Sequence, residues 1–414
     1  MDIVETTDIA IIGAGPAGAA AAAWLARDGW SVQVLERQHF PRFSIGESLL
    51  PQCMVYLEQC GLLESAQAGE FQAKNGAAFC HRARYAAIDF RDKFSSGPGT
   101  TWQVERADFD QRLIEGARRA GAQIHFGVSV AGFHAHPQQP CLQLEDEQGR
   151  RHTLKARFVL DASGYGRVLA RLEKLDRPSP LAPRTALFTH VEDHIEAAEY
   201  DREKILIGVH PQDATTWYWL IPFRSGRASV GVVTAPDQAD AAGDSDDQRL
   251  WNLLRQEPRF SRLLSHAQPR REVQRIGGYS ADIERLHGPG FAILGNAGEF
   301  LDPVFSSGVT IALDSALRAA PLVKQQLEGQ DIDWDTSFER PLRQGIATFR
   351  AFVDAWYDER LQRIIFHDRQ PQRIRQMIAS VLAGYAWDQD NPFVSASKRR
   401  LDSLAEYCYP EQGS

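Results

Sequence analysis

The chain has 414 residues, enough for two or three structural units, with 43 % apolar and 24 % charged residues. That balance is ordinary for a globular protein and excludes disorder, collagen-like repeats and a small disulfide scaffold. Its 46 basic and 54 acidic side chains leave a formal charge of −8, a poor match to nucleic acid, which needs a basic surface.

The five cysteines (Cys53, Cys60, Cys80, Cys141, Cys408) are an odd number without a CxxC pair. Free, mostly buried thiols in a reduced, cytoplasmic compartment are the expectation. No metal site is expected. His134 and His136 form an H-x-H and His190 and His194 an H-x-x-x-H, but neither pair has a third ligand nearby in the sequence.

The uncharged run from Ile9 to Ala26 imitates a membrane or secretion segment. Acidic residues precede it where a signal peptide needs positive charge, and Gly13, Gly15, Pro16 and Gly18 divide it. It reads instead as a strand, Ile9–Ile12, then a helix from Pro16 to Arg27. Between them lies Gly13-Ala-Gly15-Pro-Ala17-Gly18, the G-x-G-x-x-G spacing. The first glycine permits a tight turn, the second admits a pyrophosphate, and the third lets helix and strand pack closely. A second strand, Ser31–Glu36, ends in an acid placed to accept hydrogen bonds from an adenosine ribose. A dinucleotide-binding βαβ unit is predicted.

Farther along, a helix is predicted to start at Arg106. A β-meander is expected through Gln123–Phe133, Leu142–Glu145 and Thr153–Lys155, with a turn at Glu147-Gln-Gly149-Arg150. Phe158-Val-Leu-Asp161-Ala-Ser-Gly164 and Gly290-Phe-Ala-Ile-Leu-Gly295-Asn296-Ala-Gly298 read as apolar strands running into small residues. This layout resembles the flavoproteins with the glutathione-reductase-type fold, which include the aromatic hydroxylases. The resemblance implies FAD held in an extended form. It departs at Asn296, where the family usually has aspartate; an amide can still hydrogen-bond the ribityl chain or ribose.

Three further segments narrow the resemblance. Trp217-Tyr-Trp219-Leu-Ile221-Pro222 matches the W-x-W-x-I-P pattern of flavin-dependent halogenases. From the residues alone it is a strand with two indoles on one face, equally at home in an ordinary core. Phe71-Gln-Ala-Lys74-Asn-Gly76 looks like the halogenases' F-x-x-K-x-G segment, downstream of Gly46-Glu47-Ser48-Leu-Leu-Pro51. Phe300-Leu-Asp302-Pro303-Val-Phe305-Ser306-Ser307-Gly308 resembles their F-x-x-P-x-x-S-x-G motif. Read without the family, Lys74 could be a solvated charge, and the last segment could simply hold a flavin at a helix start (Val309–Arg318).

The resemblance implies that reduced flavin and oxygen form a flavin hydroperoxide, which halide converts to hypohalous acid. Lys74 would be the catalytic residue, hydrogen-bonding that species or carrying the halogen as a chloramine. An interior lysine suits either task, because burial lowers its pKa. The backbone N–H groups of Ser307 and Gly308 would bind chloride or bromide. Trp217 and Trp219 would obstruct direct attack of flavin oxygen on the substrate. FAD would be held by Gly13, Gly15, Ala17, Gly18, Glu36, Arg37, Ser48, Arg106, Asp161, Asn296, Pro303 and Gly308. Tryptophan halogenases carry glutamate where this chain has Phe305, which directs the reading toward phenolic, pyrrolic or carrier-tethered rings.

The expected fold class is α/β. A glutathione-reductase-type, Rossmann-like FAD domain (1–186 and 278–330, with substrate-side segments around 72–104) is expected to carry an inserted antiparallel-sheet α+β substrate domain (187–277). A helical C-terminal region (331–414) follows. Strands are predicted at Ile205–Val209, Thr216–Ile221 and Ala228–Val233, an acidic loop at Asp237–Asp247, and helices at Arg249–Gln256, Ser337–Gln362 and Gln372–Ala383. The implied partners are a flavin reductase supplying FADH2, a small aromatic substrate and an acyl- or peptidyl-carrier protein. Neither nucleic acid nor membrane is among them. The arginines 360, 363, 369, 373 and 375 are either an exposed helix face or a dock for that acidic carrier. The alternative activity is a non-halogenating monooxygenase or dehydrogenase on the same fold. A flavin-binding member of a biosynthetic complex, without chemistry of its own, is a further alternative.

Overall fold

A computed structural model of the chain describes residues 4–367 and 369–408. The predicted βαβ unit forms: strand Val4–Ile12, helix Pro16–Arg27 and strand Val32–Glu36. The helix is alanine-rich, and ten of its residues are buried, from Pro16 through Ala26. Small side chains let it press on the sheet and on the long helix Ser307–Leu327.

Val4–Ile12 is central in an eight-stranded sheet, flanked in parallel by Val32–Glu36 and Arg151–Asp161; Phe291–Ile293 lies parallel beyond the latter. Both faces are covered there, so the central segments Ile9–Ile12 and Phe158–Leu160 are continuously apolar rather than alternating. The predicted meander is only partly correct. Gly127, at φ +72°, breaks the first segment. Gln123–Phe126 then joins Val32–Glu36 in parallel, and only Val128–His134, Cys141–Asp146 and the start of Arg151–Asp161 form the antiparallel meander. The turn at Gly149 forms as expected, with φ +73°.

A second eight-stranded sheet takes its strands from 76–89 and 185–277. It is antiparallel except where Lys204–Val209 meets Gly76–His81. Within Trp217–Pro222 the side chains alternate between two cores. Trp217, Trp219 and Ile221 face the C-terminal helices, while Tyr218 and Leu220 face the helices Asp246–Leu254 and Pro258–Leu263. Gly231 sits opposite Trp219, where a Cβ would lie 2.3 Å from its Cζ2, so the glycine makes room for the indole.

Three expected elements differ. The acidic stretch 237–247 is not a plain loop: Pro236–Ala241 is helical, and Ser245 caps the next helix by accepting from Gln248 N at 3.3 Å. The helix expected over 337–362 is broken. A π-turn, Asp335–Glu339, leads into Arg340–Tyr357, and the chain reverses at Glu359 (φ +68°) before Arg360–Ile365. Asp358 takes over there, accepting from Arg360 N and Nε. The helix expected at 309–318 runs farther, over Ser307–Leu327 with Pro321 inside it. Among the described residues no helix is long and apolar enough to cross a membrane, and all five cysteines are free.

Candidate active site

The carboxyl ends of the parallel strands, the glycine turn and the second sheet enclose a cavity of about 350 Å³. Its dinucleotide end is built from the strand-to-helix turn. Gly13 adopts φ +98°, and a Cβ there would lie 2.6 Å from Ala162 O. A Cβ on Gly18 would sit 1.9 Å from Gly13 O, so Gly18 closes the turn and does not itself face the cavity. Gly15 does face it: its missing Cβ would meet only Arg42 Nη2, at 3.5 Å. Glu36, at the end of its strand, accepts from Ala14 N at 3.0 Å and Gln38 N at 2.9 Å. Ala17 and Arg37 also line this end.

Two residues expected to bind flavin also brace the scaffold in this structure. Asp161 is fully buried and accepts from Ser163 N at 2.9 Å and Leu169 N at 2.6 Å; burial raises its pKa. It fixes the turn carrying Ser163, Gly164 and Tyr165 to the cavity wall. Arg106 lines the wall, but its guanidinium is bidentate to Asp110, at 2.7 and 2.8 Å, and gives its remaining arm to Ile45 O at 2.8 Å. It braces the loop that contributes Phe43, Ile45, Gly46, Glu47 and Ser48.

Asn296, Pro303, Ser306 and Gly308 line the cavity beside the start of the helix Ser307–Leu327. The first N–H groups of a helix lack internal acceptors, so this end offers converging donors. Ser306 is left-handed, at φ +56°, and turns the chain into the helix. The Ser307 side chain is buried and does not line the cavity. Asn296 Oδ1 is buried without any hydrogen-bond partner, next to Gly308, whose absent Cβ would lie 3.5 Å from Asn296 Nδ2. An orphaned acceptor on the wall, a glycine cradle at the phosphate turn and a helix N-terminus together fit an extended flavin dinucleotide.

Trp217 and Trp219, from the second sheet, also line the cavity, with ring centroids 5.8 Å apart. Trp217 Nε1 donates to Tyr357 OH at 3.0 Å and Trp219 Nε1 to Ser229 Oγ at 3.1 Å. Phe188 packs against Trp219, and Phe43 stacks on Phe188. Phe305 is buried against Trp356, so no carboxylate replaces the glutamate of the tryptophan halogenases at that position.

Lys74 is 1 % exposed and is not itself on the cavity wall. It lies in the short strand Gln72–Lys74, and its Nζ donates to Ser48 Oγ at 2.8 Å and Leu49 O at 2.7 Å. Burial without a carboxylate partner lowers its pKa to about 7. Ser48 faces the cavity, so Lys74 stands one hydroxyl behind the wall.

Arg42, Tyr165 and the buried pair of Glu47 with His190, whose Nε2 and Oε1 are 2.8 Å apart, escaped the sequence reading. Arg42 also pairs with Asp110 at 3.3 Å. A lone arginine after a proline carries no pattern, and His190 meets Glu47 only through tertiary packing. Among the described residues, His287, Asp335 and Glu339 could share a metal ion. Each already has a protein partner: Asp335 sits 3.0 Å from His287 Nε2, and Glu339 accepts from Leu286 N and Arg343 Nε.

Comparison with known proteins agrees with this geometry. The FAD-binding domain family matches residues 6–281. The 1H-pyrrole-2-carbonyl-(peptidyl-carrier protein) chlorinase of Pseudomonas fluorescens is 29 % identical over 91 % of this chain and 89 % of its own length. A flavin-dependent halogenase of Armillaria mellea is 31 % identical over 78 % of this chain and 68 % of its own length. The crystal structure of a flavoprotein/dehydrogenase from Cytophaga hutchinsonii is 39 % identical, with a TM-score of 0.94 over 98 % of this chain and 99 % of that one. FAD is the cofactor these likenesses share with the cavity's chemistry, and halide is the co-substrate of the halogenases. The chain is an FAD-dependent oxidoreductase and belongs to the flavin-dependent halogenase family.

Proposed function

We propose that this protein halogenates an electron-rich pyrrolic or phenolic ring presented on a carrier protein, using FADH2 from a separate flavin reductase. The observation that carries the reading is a buried, pKa-lowered Lys74 bonded to the cavity-lining Ser48. The near full-length likeness to a chlorinase of a carrier-bound pyrrole supports the tethered ring, as does Phe305 in the place of a substrate-binding carboxylate.

When bound, reduced FAD with oxygen and halide supplies hypohalous acid, an electrophilic halogen. The chain's own residues then have three tasks. The N–H groups of Ser307 and Gly308 would orient halide at the helix start. Trp217, Trp219 and Phe188 would hold a flat ring by apolar contact and keep water from it. Ser48 would carry a hydrogen bond to the hypohalous species while Lys74 Nζ, behind it, polarises the hydroxyl.

A second reading, a non-halogenating dehydrogenase, is favoured by the 39 % identity to a protein described as a flavoprotein/dehydrogenase. The deciding experiment offers FADH2, oxygen and bromide with phenols and pyrroles, free and carrier-bound, and reads bromine incorporation by mass spectrometry. Halide-dependent product from a carrier-bound ring, lost in Lys74→Ala with FAD still bound, supports halogenation. Halide-independent turnover supports the dehydrogenase.

A further inference from the structure

The carboxylate of Asp302 joins three parts of the chain that are distant in sequence. Its Oδ2 accepts from Tyr357 OH at 2.7 Å and from Tyr279 OH at 3.4 Å, and its Oδ1 accepts from Val304 N at 3.0 Å. Tyr357 OH in turn accepts from Trp217 Nε1 at 3.0 Å. Asp302 caps the short turn Pro303–Phe305 that leads into the helix Ser307–Leu327. Tyr357 ends the helix Arg340–Tyr357, and Trp217 begins a strand of the second sheet. Asp302 is 2 % exposed and lies behind the wall, whereas Trp217, Tyr279 and Pro303 are on it.

We propose that Asp302 is a positioning residue: through Tyr357 it latches the Trp217 indole to the turn that opens the helix Ser307–Leu327, holding the ring-binding wall at a fixed spacing from the helix start. The inference rests on the halogenase reading, because the spacing matters for passing halogen from the helix start to the ring. A neutral amide could cap the turn as well as a carboxylate. A carboxylate buried this deeply is disfavoured unless it is bonded on several sides, and here three donors converge on it.

Four charged or titratable groups face Asp302: Tyr357, Tyr279, Tyr165 and Arg184. Arg184 lies 4.4 Å over the Tyr357 ring and steadies both. Burial raises the Asp302 pKa to about 6 despite its donors. The latch is therefore ionised and complete above pH 6 and loses an acceptor as pH falls below it.

Tyr357→Phe keeps the ring beneath Arg184 and removes only the hydroxyl. The test supplies bromide and compares hypobromite released to a 1,3-diketone scavenger with bromine transferred to the ring substrate. The expected result is FAD affinity within about twofold of wild type, hypohalite formation retained, and the ratio of ring product to hypohalite lowered about tenfold. In wild type that ratio falls below pH 6; in Tyr357→Phe and Asp302→Asn the step near pH 6 disappears, while any step near pH 7 from Lys74 stays. An unchanged ratio and pH profile in Tyr357→Phe would overturn the proposal. If wild type makes no hypohalite, the halogenase reading fails, and hydrogen exchange still decides the latch. Faster exchange of peptides over 217–222 and 303–309 in Tyr357→Phe supports it; identical exchange sinks it.

Discussion

Lys74 Nζ and Ser48 Oγ are 2.8 Å apart, one on each side of the cavity wall, and no carboxylate shares the bond. Their relation explains the lowered pKa of about 7, because hydrogen bonds to a hydroxyl and a carbonyl do not repay the desolvation of an ammonium. Folded Lys74 thus binds its proton less tightly than the unfolded chain, whose lysines titrate near 10.5. Between those values the unfolded state holds more protons, so stability rises with pH from 7 to 10.5 and the full cost is borne at and below pH 7. That cost is at most about 5 kcal/mol.

Lys74→Met, apolar and similar in length, should therefore raise the melting temperature at pH 7 by several degrees and abolish ring halogenation. FAD titration should show unchanged affinity. A variant that melts lower than wild type at pH 7 would mean that the lysine is solvated or ion-paired in solution.

Gly15 and Gly18 should respond differently to one methyl group. At Gly18 a Cβ would overlap Gly13 O, a backbone atom that cannot move aside. Gly18→Ala should unfold the turn, with loss of soluble protein or a fall in melting temperature of many degrees. At Gly15 the Cβ would enter the cavity near Arg42. Gly15→Ala should fold normally and bind FAD at least tenfold more weakly by fluorescence titration.

Much of this was legible in the chain. The strand-turn-helix at Ile9–Arg27 was visible because a fully apolar strand, a fixed glycine spacing and an alanine-rich helix all follow local rules. Trp217 and Trp219 share a face because a strand has period two. Other features depend on which segments meet. Lys74 carries the family pattern, but that Ser48 stands between it and the cavity follows from the pairing of Gln72–Lys74 with Thr101–Gln103 and the bridge from Ser48 to Gln103. Arg106 is expected on the cofactor and lines the cavity, but its bidentate pairing with Asp110, an acid one turn along its own helix, carries no family pattern. Asp302 sat inside a recognised motif without a role, because its partners Tyr357 and Tyr279 come from remote elements.

Asn296 offers a direct measure of the cofactor's polar contacts. Its Oδ1 has no partner in the protein although it is buried, so a donor from bound FAD should satisfy it. One such bond contributes about 1 kcal/mol, and leaving the site without it costs a similar amount. Asn296→Ala should weaken FAD binding about tenfold, read by calorimetry, with little change in the melting temperature of the FAD-free protein. Equal affinity in the two proteins would place the amide outside the flavin's contacts.

The carboxyl of Asp302 should leave a mark on stability opposite in sign to that of Lys74. Its pKa rises from 3.8 to about 6 through burial, so between those values the folded state holds more protons than the unfolded one. Stability is then fully present below pH 3.8 and falls as pH rises through 6, by at most about 3 kcal/mol. Asp302→Asn, similar in shape and able to keep the bond from Val304 N, removes that slope. The variant should match wild type only near pH 3.8 and below and exceed it at pH 8 in urea denaturation, even though its latch to Tyr357 is weaker. If Asp302→Asn is instead the less stable protein at pH 8, the three hydrogen bonds outweigh the burial of the charge, and Asp302 holds the fold rather than the spacing of the cavity.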